Sequence, residues 1–363
     1  MPGGRLLSFI AWDGFLLLIS SNSTRHCTVI DWPLPPFRPH PLLRGPHRQT
    51  IAGSFLPGAR FAYAATRHRV ELDDGDALVL HDDRPPTWHE GDPAALLLHG
   101  LAGCHLSPYM VRVAGKLAAR GVRAFRLDFR GCGAGAGLAR LPYHAGRSDD
   151  VLAAIERIEA LCPGSAIGLA GFSLGGNVAL KLLGEAPQRL PAALSCAVAV
   201  SPPIAPAAAV ERMTRSLWRA YDRHFTKLLG RRVLEMQRNG GPANPASLAG
   251  ALPRSLRELD ERLTAPMSGF RDADDYYERV GAVRFLAGIA LPTLIVTSRD
   301  DPLIPVSHFE RPAAGPAIRL CITEEGGHLG FVARRGTDPD CRWMEWRVVD
   351  WLCRPPSPAS GAA

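Results

Sequence analysis

From residue 67 onward the chain alternates short apolar runs with stretches of helical periodicity. Residues 67–72 and 77–81 flank Asp73-Asp74-Gly75-Asp76 and predict a hairpin, since Asp-Gly supplies a tight turn. An unbroken apolar run at 94–99 is too short for a helix and predicts a buried strand. Helix 109–120 follows and stops before Gly121, then strand 122–129, helix 148–161, strand 166–172, helix 174–183 and strand 193–200. Strands and helices in strict alternation predict an α/β fold, a mainly parallel central sheet with helices on both faces.

The alternation breaks over 205–288, where helical periodicity persists and no good strand occurs. Met213, Leu217, Tyr221, Phe225 and Leu228 fall on one helical stripe. A structureless loop of that length does not suit a compact domain, so the segment is expected to be a helical cap inserted into the fold. Strand 293–297, a helix near 307–312, strand 318–323 and helix 343–352 resume the pattern. The predicted organisation is an α/β core from 35–204 and 289–354, with the cap at 205–288. Residues 32–46 are Pro-rich and read as an extended lead-in. Residues 1–34 are expected to be a poorly ordered extension and 355–363 a frayed tail. The apolar stretch 6–19 has the outline of a secretory leader. Asp13-Gly14 interrupts it, no A-x-A site follows, and it is short for a membrane span. Neither a leader nor a stable span is therefore expected, which points to a cytoplasmic protein.

Composition narrows the classes further. Apolar residues are 46% of 363, enough for a real core, and charged residues are 21%. The net charge is +7, from 42 basic and 35 acidic residues. The basic residues are nearly all arginine, scattered, with no run interleaved with aromatics, so no nucleic-acid partner is expected. Peripheral contact with an anionic lipid surface stays open. Eight cysteines include no C-x-x-C pair and no zinc-type Cys/His spacing. Free thiols, no disulfide framework and no bound metal are the expectation.

Gly171-Phe172-Ser173-Leu174-Gly175 lies between a predicted strand and a predicted helix. A serine on such a turn lifts its hydroxyl clear of the sheet, beside the free N–H groups of a helix start. The hydroxyl needs a base and an orienting acid, which follow in the order Ser, Asp/Glu, His in this architecture. Asp300 and Asp301 come directly after one late strand and His328 directly after the next. Neighbouring side chains on an extended chain point opposite ways, so only one of the two acids reaches the histidine. His99-Gly100-Leu101-Ala102-Gly103 follows an earlier strand and is placed to complete an oxyanion hole. The backbone N–H groups of Leu101 and Leu174 are the expected donors. His99 itself reads as a packed strand-end histidine. Residues 131–137 loosely match a dinucleotide fingerprint, but Pro142 blocks the helix that should open there. No cofactor is expected.

At several stretches the sequence resembles the YheT-like branch of the α/β hydrolases. These include Gly45-Pro46-His47-Arg48-Gln49-Thr50, His99 to Gly103, Tyr143-His144-Ala145-Gly146 and Gly171 to Asn177. The narrowest is Leu263-Thr264-Ala265-Pro266 through Gly269-Phe270 to Asp275-Tyr276-Tyr277. The resemblance spans about residues 35–350. It implies a serine hydrolase acting on carboxylic esters, either short- to medium-chain acyl esters or monoacylglycerols, with Ser173, Asp301 and His328 as the triad. Asp300 would then be a turn or surface carboxylate paired with Arg299 or another arginine. Two other readings use the same scaffold: a catalytically idle ligand- or partner-binding protein, and an acyltransferase with the same triad.

Overall fold

The computed structural model describes residues 34–56, 64–215, 219–238, 253–310 and 315–354. The expectations for the terminal extension and tail, like Cys27 and Leu217, fall outside these residues.

Strands β1 (Thr66–Glu71), β2 (Ala77–Asp83), β3 (Ala94–Leu98), β4 (Arg123–Asp128), β5 (Ile167–Phe172), β6 (Leu194–Val200), β7 (Thr293–Ser298) and β8 (Ile318–Thr323) form one sheet. Its order is β1-β2-β4-β3-β5-β6-β7-β8. The β1–β2 hairpin is antiparallel, with Glu71 opposite Ala77, and β2 pairs antiparallel with β4; every later pairing is parallel. The central strands are apolar throughout because both faces are covered. Leu96 and Leu98 of β3 face one core, with Ile155 of α3 (Ser148–Leu161) and Leu180 of α4 (Leu174–Glu185). Ala95 and Leu97 face the other, with Val113 of α2 (Pro108–Ala118) and Trp351 of the C-terminal helix Trp343–Cys353. A strand's period of two thus sorts its side chains between two helical layers.

The N-terminal lead-in differs from the expectation. It is broken by a 3-10 turn at Pro41–Leu43 and then forms helix α1 (Pro46–Phe55), with proline at its start. Its buried positions are Gln49, Thr50, Ala52 and Gly53, while Ile51 and Phe55 stay 54% and 81% exposed. Hydrophobic periodicity cannot reveal a helix whose buried face is polar and small.

Between β6 and β7 the described residues contain no strand. They form α5 (Pro206–Thr214), α6 (Arg219–Arg238), a bent run of turns (Leu256–Leu259, Asp260–Thr264, Ala265–Met267) and α7 (Ala273–Val280). The middle turn, Asp260–Thr264, has π geometry. Asn177 of α4 fastens this segment to the sheet. Its buried amide donates to the carbonyls of Ala145 and Val280, each at 3.0 Å, and accepts from the Ala282 N–H at 3.0 Å. The seven cysteines among the described residues are free thiols. No helix among them is long and apolar enough to cross a membrane.

Candidate active site

Ser173 is the single residue between β5 and α4, at φ 51° and ψ −120°. That left-handed conformation is strained for any residue with a side chain and persists only where its surroundings enforce it. Here the enforcement is close backbone contact. A Cβ on Gly171 would lie 2.3 Å from the Gly175 carbonyl oxygen, and one on Gly175 would lie 2.6 Å from that of Leu98. Glycine at both positions is what lets β5, the turn and α4 approach this closely. Leu174, as the first residue of α4, has no intrahelical acceptor for its N–H.

The structure brings the two distant sequence candidates to this serine. His328 Nε2 lies 2.9 Å from Ser173 Oγ, and His328 Nδ1 lies 2.9 Å from Asp301 Oδ2. Asp301 is fully buried, and its other oxygen accepts the N–H groups of Leu303 at 2.8 Å and Ile304 at 3.0 Å. One carboxylate oxygen is thus pinned by backbone and the other aimed at the imidazole.

Asp300 requires a correction. It sits in a turn, as expected, but is half-buried and makes no ion pair with an arginine among the described residues. It turns inward and accepts the Gly327 N–H at 2.8 Å, one residue before the histidine. Burial pushes its carboxyl above the ordinary range. Arg299 instead pairs with Glu310 and Glu324. The His328 loop has further supports: Thr50 of α1 accepts the His328 N–H at 2.9 Å, and Ser298 donates to the Gly327 carbonyl at 3.1 Å. Gln49 clasps Val332 through both its N–H, at 2.7 Å, and its carbonyl, at 3.1 Å. The Gln49–Thr50 pair lies within the first stretch of resemblance, the only trace of these supports in the sequence.

Across from His328 runs the His99–Gly103 loop. The His99 Nδ1–H donates to the Gly100 carbonyl at 2.8 Å. Burial lowers the His99 pKa to about 4, so the ring is neutral near pH 7. The carbonyl of Gly100 and the N–H of Leu101 belong to one planar trans peptide and point in opposite directions. Holding the carbonyl therefore sets the direction of the N–H. Ala102, at φ 59°, donates its N–H to Tyr143 Oη at 2.7 Å. From the helical segment, Arg232 of α6 donates through Nη2 to the carbonyls of Ala102, at 2.7 Å, and Gly103, at 3.0 Å. Its Nη1 donates to Tyr143 Oη at 3.3 Å. Sequence reasoning missed Arg232, which nothing distinguishes in so arginine-rich a chain. Tyr143 was visible only inside a stretch of resemblance.

A cavity of about 50 Å³ opens between this loop and the helical segment. Leu101 and Leu174 line it on one side, and Leu229, Val233, Met236 and Leu259 on the other. The first three of the latter group share one face of α6. Phe225, on the same helix, packs against the core, and Met213 of α5 is buried.

Of the described residues, only His81, His105 and Asp128 form a group with metal-ligand composition, their candidate ligand atoms within 4.8 Å of one another. Hydrogen bonds already use the carboxylate. Asp128 Oδ2 meets His81 Nε2 at 2.9 Å, His105 Nδ1 at 2.7 Å and the Ala134 N–H at 2.7 Å, and Oδ1 accepts the His105 N–H at 2.7 Å. These bonds tie the loop after Gly103 to the end of β4, and the chemistry of the group fits that network better than an ion.

The sheet order, the elbow and the three converging side chains define an α/β hydrolase. The profile of the alpha/beta hydrolase fold family matches residues 93–334. The chain belongs to this family, in its YheT-like branch. It is 33% identical over 291 residues to the candidate esterase YheT of Escherichia coli (strain K12), covering 78% of this chain and 83% of that one. It is 25% identical to the monoacylglycerol lipase of Saccharomyces cerevisiae, over 73% of this chain and 61% of the lipase. It is 30% identical to phospholipase ABHD3 of Mus musculus, over 70% and 61%. Among solved structures, an esterase of Pyrococcus furiosus shares the fold with a TM-score of 0.51 at 18% identity, covering 82% of this chain and 92% of that one.

Proposed function

We propose that the chain hydrolyses carboxylic esters through an acyl-enzyme on Ser173. The observation that carries this is the hydrogen-bonded series Asp301–His328–Ser173 ending on the strained turn. Ser173 Oγ attacks the ester carbonyl as His328 Nε2 takes its proton. Asp301 keeps the imidazole in the Nδ1–H tautomer and stabilises the imidazolium. The N–H groups of Leu101 and Leu174 hold the oxyanion. His328 returns the proton to the leaving alcohol, and water repeats the sequence on the acyl-enzyme. An alcohol in place of water would give acyl transfer with the same residues. Residues 205–288 act as the cap, and the apolar face of α6 receives part of the ester.

The relatives named as esterase and lipases support the reaction class, and the small size of the cavity supports acyl groups shorter than palmitate. A series of p-nitrophenyl esters from acetate to palmitate tests both. Turnover is expected to be highest among the short and medium chains and to fall toward palmitate. A maximum at palmitate would remove the chain-length reading, and no turnover on any member would remove the ester reading.

In this reading Arg232 is a positioning residue for the oxyanion loop. Losing an oxyanion donor outright costs about 10²–10³ in kcat. Loosening its loop is expected to cost less, about tenfold for Arg232→Met, mainly in kcat and with partial recovery in Arg232→Lys. Steady-state kinetics on one short ester reads the split. A change confined to KM would show that Arg232 acts on binding alone.

A further inference from the structure

We propose that the cavity bordered by Leu101 and by Leu174, the chain neighbour of Ser173, holds a subsite for a hydroxyl group, built on Asp260, and that the protein favours esters carrying a free hydroxyl away from the scissile bond. The inference rests on the serine-hydrolase reading and adds a substrate feature to it.

Asp260 opens the π turn Asp260–Thr264. Such turns are rare and occur disproportionately at functional sites. Asp260 and Thr264 both line the cavity that Leu101 and Leu174 border, so the carboxyl-bearing residue and the two residues expected to supply oxyanion donors share one space. The carboxyl is surrounded by protein, yet the residue keeps a partly exposed surface, and the cavity is what it faces. Tyr277 donates its hydroxyl to Oδ2 at 2.7 Å. Among the described residues Asp260 has no ion pair. Of the two cations on its own helical run, Arg257 is engaged by Asp274 and Arg262 by Glu258. Burial raises the Asp260 pKa to about 6 against the pull of the Tyr277 and Thr264 hydroxyls.

A carboxylate held without an ion pair in a cavity whose lining is mostly apolar costs free energy and keeps acceptor capacity for a ligand. Two classes of ligand could fill it, a hydroxyl or an ammonium. The cavity wall decides between these. Arg232 lines the same space, and its hydrogen bonds go to carbonyls, a tyrosine hydroxyl and a thiol, all neutral. An ammonium would enter against that guanidinium. A hydroxyl donates to Asp260 without adding charge. It can come from either side of the ester, from a polyol-type alcohol or from a hydroxylated acyl chain.

Two substrate pairs, each differing by one hydroxyl, test this and separate the two sources. They are propyl and 3-hydroxypropyl butyrate, and p-nitrophenyl hexanoate and 6-hydroxyhexanoate. Wild-type protein is expected to favour the hydroxylated member of one pair by about tenfold in kcat/KM, the scale of a hydrogen bond to a charged group. Asp260→Leu should bring that ratio close to one, and Asp260→Asn should leave an intermediate value. The ratio is taken within one preparation, so a lowered active fraction does not affect it. Should neither variant fold, inhibition of wild type by 1,4-butanediol and 1-butanol replaces it, with the diol expected to inhibit more strongly. No preference in either pair, a preference that survives Asp260→Leu, or equal inhibition by diol and alcohol would overturn the subsite. Ser173→Ala is measured on the same pairs. Undiminished turnover there would overturn the hydrolase reading instead.

Discussion

Ser173→Ala is expected to keep the parent fold and to lose ester turnover by about 10⁴-fold or more, leaving a residue from the oxyanion hole and binding. The fold should persist because the hydroxyl holds nothing together. Its hydrogen bond is to His328, and the Ser173 side chain does not cap α4. The strained turn is imposed by Gly171, Gly175 and the Ser173 N–H bond to the Val200 carbonyl at 2.8 Å, all of which survive the substitution. Alanine at φ 51° carries the strain that serine does. Thermal melting followed by circular dichroism should therefore change little while the p-nitrophenyl ester rate collapses. A folded variant that turns over at the parent rate would show that the elbow serine is not the nucleophile.

The second large effect separates two adjacent acids. Asp301→Asn is expected to cost about 10⁴ in kcat with the fold kept, as for loss of an orienting anion elsewhere. The asparagine Oδ1 can still accept from Leu303 and Ile304. Its Nδ2 then faces His328 Nδ1, donor against donor, and only the other tautomer relieves the conflict. That tautomer places a proton on Nε2, so the ring cannot accept one from Ser173. Asp300→Asn keeps an acceptor for the Gly327 N–H and is expected to cost less than about tenfold, since only a neutral hydrogen bond replaces a charged one. Parallel kinetics on the two variants reads the difference directly. If Asp300→Asn were the crippled variant, the acid would be assigned one residue too late, with Ser173 and His328 unaffected.

The sheet was legible because its signal is local and repeated. β3 and β5 are short runs with no polar interruption, and β6 carries only Ser195 near its start, the mark of burial on both faces, and each is followed by a helix or loop start. The elbow was legible because its glycines answer a steric demand that few other turns make. His328 and the acid pair were legible from their order and their places at strand ends. What sequence could not supply is contact between distant segments. Helix α1 buries Gln49 and Thr50, so its pattern reads as the reverse of a packed helix, and its grip on the His328 loop spans 278 residues of chain. Arg232 reaches the Ala102 carbonyl across 130 residues. Asp300 was expected outside because a charged turn residue usually is; the glycine N–H that draws it inward belongs to another loop.

The central claim, that Ser173 is an activated nucleophile, is tested most directly by reaction with a fluorophosphonate and location of the adduct by peptide mass spectrometry. The reagent discriminates because it phosphonylates a serine made nucleophilic by its surroundings. The account predicts one adduct per chain, on Ser173, formed slowly or not at all in Asp301→Asn. An intact protein that takes up no label, or takes it up at another residue, would contradict it and leave an idle hydrolase scaffold as the better description.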